Sequence, residues 1–404
     1  MNLKTHIKIA LGYFFIVALL GLFMRMFHVF DIDFNYKNIL HAHSHIALLG
    51  WIYTAITTLI YQLYLSEKKI DTFYKRLFWS TQISILGMLF TFPVTGYALF
   101  SIFFSTYFLL NTYVFVRLFL RHTSPKQKKT NSYKLIWASL WFMVLSSIGP
   151  WALGIIMSTL GSTSPWYRNA IYFYLHFQYN GWFLVALIGI LFSVFEKYSI
   201  SFPKKIFQLF FMLFISGVIL TFFLSILWMK PSLGFYVLAG IGSIFQIVAF
   251  GILWKQLKLH KKQLKESLSK MEGILLKTAG LLFIAKLLAQ FIGSFPGISE
   301  MISNNIDVVI GYIHWIFLGI VTITIFAFLN HFKLAILSKK TFIIYLVAFI
   351  LTEALLFYKG AVVWLGSNLI DSYYLLLFVA STILLLAIVL LFVINLQEIK
   401  NSNS

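Results

Sequence analysis

The chain has 404 residues, 60% of them hydrophobic and 11% charged, a mix that excludes an ordinary soluble globular domain. It has no cysteine, which removes disulfides, iron–sulfur clusters and thiolate metal sites together, so a metal would have to sit on histidine, carboxylate or methionine. The net charge of +20 falls between apolar runs and reads as membrane topology and attraction to anionic lipid, with no nucleic-acid partner expected.

The apolar residues gather into runs of roughly 18 to 25, the length a helix needs to cross about 30 Å of hydrocarbon, so spanning helices are expected and a barrel is not. Twelve runs can be counted, near residues 7–24, 40–65, 77–99, 100–120, 135–160, 170–195, 206–228, 232–254, 273–292, 306–329, 341–358 and 372–396, although eleven or thirteen spans also fit. The first, Ile7 to Met24, is long enough to span and lacks a small-residue cleavage site, which predicts a retained helix and no cleaved signal peptide. The third and fourth are nearly continuous, and Pro93 with Gly96 supplies the break. The stretch from Lys255 to Glu272 predicts an amphipathic surface helix on the inner leaflet. No internal repeat, low-complexity tract or soluble domain is evident. Residues 1–404 therefore read as one integral membrane domain, an all-α polytopic membrane protein with about 12 transmembrane helices.

Loop charge tests that count. The termini and the even-to-odd connections carry most of the basic residues, among them Lys4, Lys68, Lys69, Arg76, Arg121, Lys126, Lys205, Lys261, Lys339 and Lys400. The odd-to-even connections carry only Arg25, Lys37, Arg168, Lys230 and Lys359. The positive-inside rule then predicts cytoplasmic termini and an even number of spans.

Five of the ten histidines, His6, His28, His122, His260 and His331, fall in loops or near span ends and read as surface or interfacial residues. The other five, His41, His43, His45, His176 and His314, lie in spans 2, 6 and 10, which all enter from the outer face in this topology. His45, His176 and His314 come five to eight residues into their spans, roughly 8 to 12 Å below the boundary. An imidazole in hydrocarbon without a partner is costly, so three at one depth point to a functional layer; three separate interhelical hydrogen bonds are the bland alternative. His41 and His45, four apart, share a helical face from which His43 points away, and His45 is the preferred ligand with His41 its neighbour or substitute. A His-x-x-x-His pair also suits zinc or copper, but neither Asp31 nor Asp33 is fixed as a third ligand.

The run Asp307-Val-Val-Ile-Gly-Tyr312-Ile-His314-Trp in span 10 resembles helix ten of the heme-copper oxidase superfamily catalytic subunit I, with Tyr312 where that family has a further histidine. Span 2, His41-Ala-His-Ser-His45-Ile-Ala-Leu-Leu-Gly-Trp51, resembles helix two of its nitric oxide reductase-like branch. Span 6, His176-Phe-Gln-Tyr179-Asn180-Gly181-Trp182, is similar to helix six, where a histidine binds copper or non-haem iron. Span 7 ends in Leu227-Trp228-Met229-Lys230 without the His-His pair the family carries there, which leaves a copper or non-haem iron site short of ligands.

The resemblance implies a subunit I-like bundle, one or two haems of b type, and a low-spin haem ligated by His45 and His314 for electron transfer. It implies His176 as a metal ligand beside them, and Tyr312 as a candidate ligand to a second haem at an oxygen- or nitric oxide-reducing or sensing site. Arg25 and Lys359, with Arg168 and Lys230, are candidates to meet haem propionates. A cytochrome c-type subunit or another electron donor is the implied partner beside the lipid bilayer, and a bacterial inner membrane the implied location. Within the spans, Lys277, Lys286 and Glu353 are the charged residues, and a Lys286–Glu353 pair is a reasonable expectation. A secondary transporter or metal-binding membrane protein using the histidine layer is the alternative, since twelve spans with inner termini suit many transporters.

Overall fold

A computed structural model describes residues 2–402, with side chains over 2–397. Among these residues twelve helices are long and apolar enough to cross a membrane: α1 (Leu3–Met26), α2 (Tyr36–Tyr64), α3 (Asp71–Thr95), α4 (Leu99–His122), α5 (Asn131–Thr159), α6 (Pro165–Lys197), α7 (Lys204–Met229), α8 (Leu233–Leu259), α9 (Lys270–Ile292), α10 (Ile306–His331), α11 (Lys339–Trp364) and α12 (Tyr373–Gln397). The all-α polytopic reading holds, and each helix is the expected span of the same number. Most run a few residues past the apolar core of the span, because polar side chains cap them. Asn2, Asn35, Thr130, Ser164, Ser269, Asn305 and Ser338 each accept a hydrogen bond from a first-turn N–H.

The break between α3 and α4 belongs to Gly96. It ends α3 at φ +62, a left-handed conformation that a side chain disfavours, while Pro93 stays inside the last turn. Ser101 closes the turn from the other side, accepting from the Ala98 N–H at 2.9 Å and donating to the Gly96 carbonyl at 2.6 Å. The surface helix expected over 255–272 is much shorter. The apolar helix α8 continues to Leu259, and the reciprocal Ser269–Glu272 cap starts α9, leaving only Lys261–Ser267 between.

The chain forms two compact units, unit 1 (Met1–Thr123 with Ile325–Ser404) and unit 2 (Ser124–Thr324), and the boundary falls within α10. In unit 1, α2 packs on α1 and α3, α3 on α4, and α12 on α1 and α11. Its core is aromatic: Phe14 stacks on Trp51 at 4.8 Å, and Phe326 and Tyr345 close around them. In unit 2, α6 packs on α5 and α7, α8 on α7 and α9, and α9 on α10. Gly217 and Gly242 let the backbones of α7 and α8 approach closely; a Cβ on Gly217 would lie 2.9 Å from the Gly242 carbonyl. One helix is central in each unit. Of the most apolar eighteen residues, 83% are buried in α2 and 78% in α6, against at most 44% in any other span. The histidines of α2 and α6 therefore sit on the best-enclosed helix of their unit.

Candidate functional site

The three histidine-bearing helices share a local irregularity. α2, α6 and α10 each contain a π-helical run, Ile46–Tyr53, Phe177–Phe183 and Trp315–Val321, and the residue immediately before each run is His45, His176 or His314. These residues stand nine, eleven and eight positions past the first residue of their helices. They stand further from the helix starts than from the starts of the apolar runs, because the caps lengthen the helices. A glycine follows each histidine by five, at Gly50, Gly181 and Gly319. Two of these have a visible use: a Cβ on Gly50 would lie 2.9 Å from Tyr13 Cγ of α1, and one on Gly181 would lie 2.7 Å from Phe142 Cβ of α5. An aromatic ring of the preceding span thus presses onto the π-helical backbone. On α10 the preceding span is held differently, by Trp315 Nε1 donating to the Leu282 carbonyl of α9 at 3.0 Å. Long π-helical runs are rare and concentrate where function requires a departure from α geometry. The shared His-x4-Gly spacing is a local pattern that was legible in the sequence.

In unit 1, His45 Nδ1 donates to the His41 carbonyl one turn back, at 2.8 Å. That fixes the tautomer and leaves the Nε2 lone pair outward, with the Tyr97 hydroxyl donating toward it at 3.3 Å. Tyr97 follows Gly96, and the glycine turn gives it this position: a Cβ on Gly96 would lie 2.5 Å from Asn38 Oδ1, so only glycine lets α2 come this close. Phe92 and Tyr97 flank the His45 ring at 4.3 and 5.8 Å. His41 packs edge-on against Tyr97 at 4.6 Å and serves His45 through its carbonyl. His43 faces α1, where its Nδ1 donates to the Val17 carbonyl at 3.0 Å over Gly21.

In unit 2, His176 is fully enclosed and has both nitrogens engaged. Nε2 donates to the Val218 carbonyl at 2.8 Å, where α7 tightens into a 3₁₀ turn, and Nδ1 accepts from Asn180 Nδ2 at 3.2 Å. Beside it runs a buried polar chain: Lys286 Nζ donates to Gln246 Oε1 at 3.4 Å, and Gln246 Nε2 donates to Thr221 Oγ1 at 3.0 Å. The rings of Tyr179 and Phe183 on α6 approach Phe317 of α10 at 5.9 and 6.3 Å, which brings the two π-helical runs of unit 2 together. Tyr312 lies within electrostatic reach of Tyr179 on the same side. His314 closes the first α-helical part of α10, half-buried.

The cations expected near the outer ends are unevenly placed. Arg168 lies over the Trp228 ring at 4.3 Å and donates from Nε to the Tyr172 hydroxyl, and Lys230 donates to Glu300 at 2.6 Å. Glu300 raises the Lys230 ammonium above its ordinary pKa by hydrogen bonding and charge. Lys359 lies 5.7 Å from the centre of the Tyr374 ring, on which His28 stacks at 4.8 Å. Arg25 is within electrostatic reach of His43 and Glu353 in unit 1. Glu353 is buried, and neither carboxylate oxygen has a hydrogen-bond partner among the described residues. Lys286 is satisfied within unit 2 by Gln246, so the expected pair with Glu353 is not what holds it.

Among the described residues no three histidine, aspartate or glutamate side chains converge as a metal ion would need. Tyr97 and the Val218 carbonyl escape a reading based on histidine spacing: the first lies beyond a helix break and the second is backbone, whereas Asn180 stands one turn after His176 on the same helix. No protein-family model and no curated protein matches the chain, so the likeness of α2, α6 and α10 to known helices rests on the residues quoted above.

Proposed function

We propose that the chain is a membrane haem protein that moves electrons, in which His45 would hold the haem, with His314 as the further ligand that the likeness of α10 implies. The observation that carries this is the state of His45: its Nδ1–H is tied to the His41 carbonyl at 2.8 Å, and its Nε2 lone pair meets the hydroxyl of the exposed Tyr97 at 3.3 Å, a contact a ligand could displace. The donors fit a haem better than a zinc or copper ion, because a haem asks one imidazole of each face whereas those ions ask three or four converging ligands. A haem bound there would supply reversible one-electron chemistry. The chain's own part is to orient the His45 ring through the His41 carbonyl, to shield it with Phe92 and Tyr97, and to offer Arg25 and Lys359 as cations for propionates. The engagement of both His176 nitrogens argues against a copper or non-haem iron there, so electron transfer or gas sensing is favoured over oxygen or nitric oxide reduction. The basic residues of the even-to-odd connections support inner termini, and a c-type cytochrome donor at the outer face of a bacterial inner membrane completes the proposal.

The test is a dithionite-minus-air difference spectrum of detergent-purified protein with pyridine hemochrome quantitation, on wild type, His45→Ala and His314→Ala. Sharp low-spin bands in the wild type, lost in both variants, support bis-histidine ligation; protein that takes up no haem on reconstitution rejects it. The buried Lys286–Gln246–Thr221 chain and Glu353 favour a second reading, a secondary transporter, since ionisable groups inside spans commonly mark ion or proton paths and a low-spin haem does not use them. Proton- or cation-coupled uptake into liposomes by haem-free protein would select it.

A further inference from the structure

Unit 1 holds a cavity of about 930 Å³ at the end where α2 gives way to α3 and where α4 finishes. Its wall is basic: Lys68 and Lys69 come from the α2–α3 connection, Arg76 from α3, and Arg117 and Arg121 from α4. Only two carboxylates, Glu67 and Asp71, stand among them, and Asp71 already accepts a hydrogen bond from the Tyr61 hydroxyl. Arg117 and Arg121 are one helical turn apart, a spacing at which like charges repel unless an anion lies between them. Among the described residues, neither they nor Arg76 is held in an ion pair.

Two further features converge on the cavity. α3 begins here with Ile70 at its N-cap, where no side chain caps the helix, and the next residues, Asp71, Thr72 and Phe73, line the wall. Their N–H groups have no intrahelical acceptor, and a 25-residue helix presents its positive end to the same space. The rim is apolar: Phe73 is 51% exposed and Val114 38% exposed, beside the arginines. A small soluble anion has no use for exposed phenylalanine and valine, whereas a lipid puts acyl chain against such a rim and its headgroup among the charges.

The geometry points to a binding site for the phosphate of an anionic phospholipid headgroup, held by the guanidinium groups of Arg76, Arg117 and Arg121 at the start of α3. Guanidinium grips phosphate oxygens in a two-pronged fashion that lysine cannot, which makes these three the specific contacts and Lys68 and Lys69 the attracting field. By the charge rule this is the inner leaflet, where anionic lipid and basic pockets between helices meet. The site is independent of the haem reading, because none of its residues belongs to the histidine layer.

The experiment uses purified full-length protein in a neutral detergent, titrated separately with phosphatidylglycerol, phosphatidylcholine and inorganic phosphate, with binding read by native mass spectrometry and by thermal shift. Wild type is expected to retain phosphatidylglycerol and not phosphatidylcholine. The Arg117→Gln/Arg121→Gln variant is expected to bind phosphatidylglycerol roughly twentyfold more weakly, from the usual contribution of each surface cation near anionic lipid. Arg76→Gln, a single exposed change, gives a smaller loss in the same direction and keeps the test decisive if the double variant does not fold. A control, Lys261→Gln/Lys262→Gln, removes two charges that do not line the cavity and is expected to leave binding unchanged. Equal loss in the control, or undiminished binding in the arginine variants, overturns the site. Stabilisation by inorganic phosphate equal to that by phosphatidylglycerol overturns the lipid assignment in favour of a soluble phosphate compound.

Discussion

His45 in unit 1 and His176 in unit 2 occupy the same local frame: each stands at the head of a π-helical run, on the most buried helix of its unit, with glycine five residues on. Their wiring is opposite. His45 donates from Nδ1 within its own helix and accepts on Nε2 from the exposed Tyr97 side chain at 3.3 Å, whereas His176 donates from Nε2 across to α7 and accepts on Nδ1 from the buried Asn180. One frame thus yields a ring bonded within its own helix and to an exposed tyrosine, and a ring that ties α6 to α7. Sequence spacing determines where such a histidine sits; the partner within reach of its second nitrogen determines what it can do.

The comparison can be broken most directly through cofactor content. His45→Ala is expected to lower haem per protein at least about tenfold in a pyridine hemochrome assay, while His176→Ala retains most of it. Equal losses in the two variants would erase the distinction. Stability should respond the other way. In apo protein melted in detergent, His176→Ala is expected to cost about 2–4 kcal/mol, because it opens a cavity, strands the Asn180 amide and leaves the Val218 carbonyl only the Thr221 hydroxyl at 3.2 Å among its side-chain donors. His45→Ala is expected to cost under about 1 kcal/mol, since its internal hydrogen bond lies within one helix turn.

The polar chain near His176 gives a smaller effect of opposite sign. Lys286→Met replaces a buried, weakly bonded ammonium by an apolar chain of similar length and is expected to stabilise the protein by about 1 kcal/mol, read as a raised melting temperature. A drop instead would mean that the charge is structurally required. The smallest effect is expected at the exposed Lys230–Glu300 pair, with side chains 67% and 52% exposed. The folded-state pKa of Lys230 lies above its ordinary 10.5, so any stability it lends is fully present below that pH and lost only above it. Glu300→Gln should therefore leave melting unchanged between neutral pH and mildly alkaline pH, where a pH-dependent difference from wild type would contradict this placement.

The helices and their number were legible because hydrocarbon imposes a length on apolar runs, and the capping residues Asn35, Ser164 and Asn305 moved the boundaries only slightly. Gly96 was legible as a break for the same reason that it is one: only a residue without a side chain tolerates φ +62 beside Asn38. Less of the candidate site could be read. The histidine positions follow from the sequence, but their tautomers depend on the His41 and Val218 carbonyls, and backbone acceptors carry no residue-type signal. Tyr97 was obscured because it lies in the turn between two helices that read as almost continuous. The over-long surface helix at 255–272 has a simpler cause: α8 continues to Leu259 at one end of that stretch, and the capping box at Ser269 starts α9 at the other.

The π-helical runs have a consequence for register. Each α-helical residue turns the chain by about 100°, so a run with more residues per turn shifts every position beyond it to a new angle relative to the histidine before it. On α2 this sets the phase between His45 at one end and the buried Thr54, Thr57 and Thr58 further on, whose hydroxyls bond back to carbonyls of their own helix. A straight α-helix through the same sequence would set the threonines at a different angle from the imidazole. The wide turn is the joint that lets the two ends of α2 face their own neighbours.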